Sequence, residues 1–102
     1  MPGMIQASVY SAVLHYLQGV RDAETTDPVA VATKMREKPL DDFYAPGATI
    51  RVDGRLLNDM YLVEVKTPQD STAPWDYFKV LQTIKAADYA KPLAGSKCPL
   101  VR

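Results

Sequence analysis

The 102-residue sequence carries one histidine, His15, and one cysteine, Cys98. A lone thiol excludes an internal disulfide and cannot assemble the cysteine sets of a structural zinc site. Cys98 reads as an ordinary thiol near a tail, or as half of a disulfide whose partner lies outside this chain. Nucleophilic catalysis needs a nucleophile, a base and an orienting group within hydrogen-bond reach. His15 sits in the middle of an apolar helical run and Cys98 on a proline-flanked tail, so the two are poorly placed to cooperate. His15 therefore reads as structural or solvent-facing. The five glycines are scattered and none clusters at a helix start, which removes a phosphate-cradling loop. Among the carboxylates, Asp41 and Asp42 are neighbours just after a proline-terminated helix, and Asp59 has Asn58 beside it rather than a second acid. Such acids make a weak metal site without further ligands. The expectation is a chain with no catalytic residue, no metal and no cofactor, which is not an enzyme.

Excess charge of one sign is also missing: twelve Lys and Arg balance twelve Asp and Glu. Nucleic acid and anionic membranes both select for surplus positive charge, so neither is expected as the main partner. The same balance gives little repulsion between copies and leaves self-association open. Residues 8–17 form the longest apolar stretch, and Ser11, His15 and Tyr16 break it, far short of the ~20 apolar residues of a membrane span. Met1 is followed by Pro2 and Gly3, with no basic region and continuous apolar run of a secretory leader. The chain as written is thus expected to stay in the cytoplasm.

What is present is ordinary globular composition, 47% hydrophobic and 24% charged, in a length that allows one domain. Ile5, Val9, Val13, Leu17 and Val20 recur at spacings of three and four, predicting a helix over 4–23 whose wide apolar stripe is buried against a sheet or a partner. Thr26 or Asp27 can cap a second helix with Pro28 at its first position, and Pro39 stops it. The period then changes to two. Residues 49–52 alternate, Asp53-Gly54 signals a type I′ hairpin turn, and a return strand is predicted over 57–66. Apolar residues on both faces of that strand suggest a position inside a sheet or under a helix. A third strand over 77–84 is expected to join the same antiparallel sheet. Residues 85–102 read as an irregular tail with a short helical turn near 86–90. The aromatic run Trp75-Asp76-Tyr77-Phe78 anchors the sheet against a helix or meets a ligand or neighbouring domain. The fold class is α+β: two N-terminal helices followed by a small antiparallel sheet made of a hairpin plus a third strand.

Several of these segments, taken in order, resemble a known family. They are Ala7-x-Val9-Tyr10-Ser11-Ala12-Val13-x-x-Tyr16-Leu17, Lys34-Met35-Arg36-Glu37, Asp42-Phe43, Ile50-Arg51-x-Asp53-Gly54-Arg55, Asn58-Asp59-Met60-Tyr61-Leu62 and Pro74-Trp75-Asp76-Tyr77. Over Met4 to Leu93 the chain is similar to the C-terminal part of type I periplasmic solute-binding proteins of the branched-chain amino acid kind (Leu/Ile/Val-binding-protein-like), which feed ABC importers. Each motif is weak, and their order and spacing make the resemblance specific.

The resemblance implies a two-lobed periplasmic protein that closes on amino acids or on aromatic and other small carboxylic acids and delivers them to an ABC permease. Residues 1–102 would then be a single partial domain from the second lobe, about the last quarter of such a protein. On position, Gln6 and Tyr10 are its ligand-cleft candidates. One expectation is a fragment or truncated paralogue unable to capture ligand alone. The other is a free-standing interaction module that self-associates as a homo-oligomer, a dimer first of all, through surfaces normally covered.

Overall fold

The computed structural model describes residues 3–97 and residue 101; Cys98 lies outside the described residues. In chain order the elements are α1 (Met4–Ala23), α2 (Pro28–Glu37), β1 (Thr49–Ile50), β2 (Leu56–Leu57), β3 (Met60–Val65), β4 (Phe78–Ile84) and a short α3 (Ala86–Tyr89), followed by a 3-10 turn at Leu93–Gly95. The α+β class and both long helices agree with the sequence reading.

Local chemistry sets the helix ends. The Gly3 N–H donates to Gln6 Oε1 at 2.9 Å, which is one half of a capping box; glycine has no side chain to supply the other. α1 ends at Glu24, whose φ of 52° is left-handed and whose N–H donates to the Arg21 carbonyl. Asp27 caps α2 by accepting from the Ala30 N–H at 2.9 Å, with Pro28 following. Lys38 is extended (φ −110°, ψ 135°), as the residue before a proline must be to leave a helix.

The face that α1 turns to α2 is not its apolar stripe. Its buried residues are Ser11, His15 and Gly19, spaced four apart on one side. A Cβ on Gly19 would lie 2.8 Å from Met35 Cγ and 3.4 Å from both Val31 Cγ1 and the Val31 carbonyl oxygen. The helices therefore approach through small and polar side chains, and the His15 Nε2 meets the Met35 carbonyl at 2.8 Å. The stripe faces outward, with Ile5 72% exposed and Leu17 56% exposed. Its periodicity marked it as a surface to be covered; within this chain nothing covers it to the depth expected.

A small core forms where the connector after α2 folds back. Leu40, Ala45 and Ala48 are buried, with Tyr44, Ile50 and Leu56 packed on them. The Leu40 N–H donates to the Ala48 carbonyl at 2.7 Å, and Gly47 turns the chain with φ of 78°.

The strands depart from expectation in two ways. β1 and β2 pair Thr49 with Leu57 and Ile50 with Leu56, but the turn between them is not type I′. Only Gly54 has positive φ (81°), whereas Asp53 does not. The Gly54 N–H donates to the Arg51 carbonyl and the Arg51 N–H to the Arg55 carbonyl, both at 2.8 Å, giving a three-residue loop that ends on a left-handed glycine. Asp53 instead uses its carboxylate to hold Arg51, at 2.9 Å from Nε and 2.5 Å from Nη2.

The second departure is that the return strand breaks at Asn58-Asp59, leaving two separate two-stranded sheets rather than one of three. The break has a polar cause. Asp59 accepts from Lys85 Nζ at 2.6 Å and from the Ala86 N–H at 3.3 Å, and the Asn58 carbonyl accepts from the Tyr89 hydroxyl at 2.7 Å. β3 then pairs antiparallel with β4 from Met60↔Ile84 to Val65↔Phe78, with a register shift between Leu62 and Val63. All six β3 residues are exposed, so its two apolar faces stand open instead of lying inside a sheet.

The segment after β4 holds the short helical turn expected near 86–90, as α3. Arg55 stacks over Tyr89 at 5.7 Å, and Arg51 Nη1 donates to the Lys91 carbonyl at 2.8 Å, which ties it to the β1–β2 hairpin. The molecule is elongated, 52 × 33 × 17 Å with a radius of gyration of 16.9 Å. A compact domain of this length would have a radius of ~13 Å.

The close α1–α2 approach yields a test. Gly19→Ala gains helix propensity worth about 1 kcal/mol, but overpacking against Met35 and Val31 costs about 1–3 kcal/mol. We expect a net loss of about 1 kcal/mol in urea unfolding followed by circular dichroism; a gain would mean that the helices do not touch at Gly19.

Candidate functional site

Gln6 and Tyr10, the two cleft candidates, lie one helical turn apart near the N-terminal end of α1, on one side of it. Both are exposed. The Gln6 side-chain oxygen is engaged in holding Gly3. Tyr10 is joined by Phe43, whose ring lies 5.5 Å away at 41°. Phe43 was not singled out from the sequence as a site residue. Its only signal there was its place beside Asp42 in the family-like pattern.

What brings Phe43 to Tyr10 is the carboxylate of Asp42. Oδ2 accepts from the Ser11 hydroxyl at 2.5 Å, while Oδ1 accepts from the Tyr44 N–H at 2.9 Å and the Ala45 N–H at 3.0 Å. These three donors pin the connector onto α1 and present residue 43 beside residue 10. Burial pushes the Asp42 carboxyl up, but the Ser11 hydroxyl, the Ala45 and Tyr44 N–H groups and the nearby His15 together hold it below its ordinary value.

Ser11, His15 and Asp42 are the residue types of a hydrolytic triad, but their wiring is different. Ser11 donates directly to Asp42, and His15 Nε2 is bonded to the Met35 carbonyl, so neither contact links the hydroxyl to the imidazole. The set is a staple that joins α1 to α2 and to the connector. Among the described residues there is no group of three or more His, Cys, Asp or Glu able to hold a metal ion.

The aromatic run at the β3–β4 end also lies in the open. Trp75 (57% exposed) packs edge-on against Tyr77 at 6.0 Å, and Phe78 is half exposed, so the run is no buried anchor of a sheet against a helix. Trp75 has φ of 72°, a region costly for a residue with a Cβ. Asp76 holds the turn, accepting from Lys66 Nζ at 2.7 Å and from the Thr72 N–H at 3.2 Å.

The exposed Gln6 amide and Tyr10 ring thus stand at one end of α1, with the Phe43 ring of the connector beside Tyr10. The family profile described as periplasmic binding protein matches residues 1–72, and the chain belongs to that family. Among solved structures, it is similar to a periplasmic binding protein from Burkholderia mallei, with 42% identity and a TM-score of 0.89 over 98% of this chain and 26% of the other. It is also similar to a branched-chain amino acid ABC transporter periplasmic ligand-binding protein from Burkholderia xenovorans LB400, with 38% identity and a TM-score of 0.90 over 100% of this chain and 27% of the other. The chain thus spans about a quarter of the length of the structures it matches. No curated protein sequence matches it.

Two measurements test the staple and the ion pairs. Asp42→Ala strands the Ser11 hydroxyl and two N–H groups, which costs about 1–3 kcal/mol in urea unfolding; Asp42→Asn, which keeps an acceptor, should cost less. Equal losses would deny the carboxylate its role. The carboxyls of Asp22, Asp42, Asp59 and Asp76 are all held below their ordinary value, and Arg51 holds Asp53 at about 2. A lowered folded value stabilises the fold fully above the unfolded value, near 4, and that contribution fades as pH falls through the folded one. The urea midpoint should therefore drop between about pH 4 and pH 2; a flat midpoint there contradicts these ion pairs.

Proposed function

We propose that this chain, as a fragment or truncated paralogue, supplies part of one wall of the cleft of an ABC-transporter solute-binding protein for amino acids or small carboxylic acids. In this reading Gln6 and Tyr10, with Phe43, face the solute, the protein works in the periplasm, and its partner is an ABC permease. The observation that carries it is the outward face of α1. Residues 4–20 contain no Asp, Glu, Lys or Arg, yet Ile5, Val9, Val13 and Leu17 are all more than half exposed. A surface so poor in charge is built to be covered. Similarity to the branched-chain amino acid ABC transporter ligand-binding protein of Burkholderia xenovorans supports the solute class.

Capture of a small polar molecule requires most of its surface, roughly 70–90%, to be buried between walls that meet. One wall does not reach that. Titration calorimetry of the chain against leucine, valine, phenylalanine and benzoate should show no saturable binding at micromolar concentration. Micromolar binding that Tyr10→Ala abolishes would overturn the one-wall reading while supporting Tyr10 as a solute contact.

A second reading, a self-associating interaction module, is favoured by area. The chain exposes 7812 Å². A compact monomer of this mass exposes ~5,700 Å². The excess is larger than the ~800 Å² per partner of a standard interface. Sedimentation velocity at micromolar concentration should show a dimer or larger species, and Val13→Glu with Leu17→Glu should return it to monomer. A folded wild-type monomer would sink this reading.

A further inference from the structure

The even balance of charge over the whole chain hides a local excess. Among the described residues, six lysines and arginines form ion pairs with a carboxylate. Arg36, Arg55, Lys79, Lys91 and Lys97 form none with a described acid. Three of these, Arg55, Lys91 and Lys97, line one open pocket of about 260 Å³ between the β1–β2 hairpin and residues 91–97.

Arg51 and Asp53 also line it, but they cancel each other. Asp53 takes Nε and Nη2 of Arg51, and the remaining nitrogen, Nη1, is spent on the Lys91 carbonyl. Those bonds hold the two sides of the pocket together and leave three positive charges with no carboxylate to answer them. The face of the Arg55 guanidinium lies over the Tyr89 ring at 5.7 Å. Stacking of this kind restrains the plane and leaves the edge, with its fork of N–H donors, open to an oxyanion. Lys91 Cε lies 3.6 Å from the point a Cβ on Gly95 would occupy, so its side chain folds back over the 3-10 turn.

The rest of the lining defines what fits. Apart from the charged groups only Pro92, Gly95 and Ser96 border the pocket, so an apolar body would find no large side chain to cover it. A concave surface lined by charge of one sign focuses the field and concentrates counter-ions. A singly charged anion would leave most of that charge unanswered, whereas several oxygens on a multiply charged ion can meet all three cations.

We propose that the pocket between the β1–β2 hairpin and residues 91–97 binds a small oxyanion with two or more negative charges, of phosphate or polycarboxylate chemistry, held by Arg55, Lys91 and Lys97. Gln6, Tyr10 and Phe43 take no part in it, so this site and the solute cleft stand or fall separately.

The test is amide NMR of the full ¹⁵N-labelled chain at neutral pH and fixed ionic strength, titrated separately with pyrophosphate, citrate and acetate. Pyrophosphate, citrate or both should move the Arg55, Ser96 and Lys97 amide signals saturably, while acetate should not. Saturation by pyrophosphate alone names a phosphate ligand, by citrate alone a polycarboxylate, and by both a site that reads charge. Arg55→Gln, Lys91→Gln and Lys97→Gln should each weaken binding about threefold, the scale of one exposed ion pair, with the helical circular dichroism unchanged. The double lysine variant should weaken it about tenfold. Lys79→Gln removes an unpaired lysine outside the pocket and should bind like wild type. The proposal is overturned if neither pyrophosphate nor citrate saturates, or if acetate moves the same signals as far. It is equally overturned if the double lysine variant binds like wild type, or if Lys79→Gln weakens binding as much as Lys91→Gln does.

Discussion

The seam at which α2 lies on α1 is made of Ser11, His15 and Gly19, three residues that would not be chosen for an apolar core. Gly19 lets α2 approach until Met35 and Val31 occupy the space of its missing side chain. His15 bonds to the Met35 carbonyl, and Ser11 reaches past α2 to Asp42. Because Asp42 also holds two backbone N–H groups, the same seam sets the course of the connector. The connector in turn places the Leu40–Ala45–Ala48 core, the β1–β2 hairpin that packs on it, and Phe43 beside Tyr10. Polar bonds of this kind have strict geometry, so they fix how two elements meet more sharply than apolar contact alone.

A consequence is an inversion of the ordinary amphipathic helix. α1 gives its polar and small face to its own chain and its apolar stripe to the outside, and both faces of the β3–β4 ribbon are likewise exposed. The backbone course of the chain superposes at TM-scores of 0.89 and 0.90 on solved periplasmic binding proteins nearly four times as long. The geometry therefore belongs to the family. The small interior and large apolar exterior make sense as part of a larger surface, and among the described residues His15 Nδ1 is a buried polar atom without a hydrogen-bond partner.

Signals carried by neighbouring residues were legible. The limits of α1, the Asp27-Pro28 start of α2, its end before Pro39 and the short turn at 86–89 all follow from capping, proline sterics and period, which act over four residues or fewer. The membership of the family was legible too, in the order of six weak motifs, and the match over residues 1–72 bears it out. The hairpin at Asp53-Gly54 was half legible. The glycine takes the left-handed conformation, but Arg51 claims the Asp53 carboxylate and a longer loop results. The broken return strand was not legible at all, because Lys85, Ala86 and Tyr89 impose it from more than twenty residues away.

The sequence by itself determined where the two long helices begin and end, since periodicity and caps are local. Only the tertiary structure decided which face of α1 meets α2, that the strands form two sheets, and that Phe43 stands beside Tyr10. Each of those rests on a bond between residues distant in sequence, such as Ser11 to Asp42 or Asp59 to Lys85, and no local pattern announces its partner.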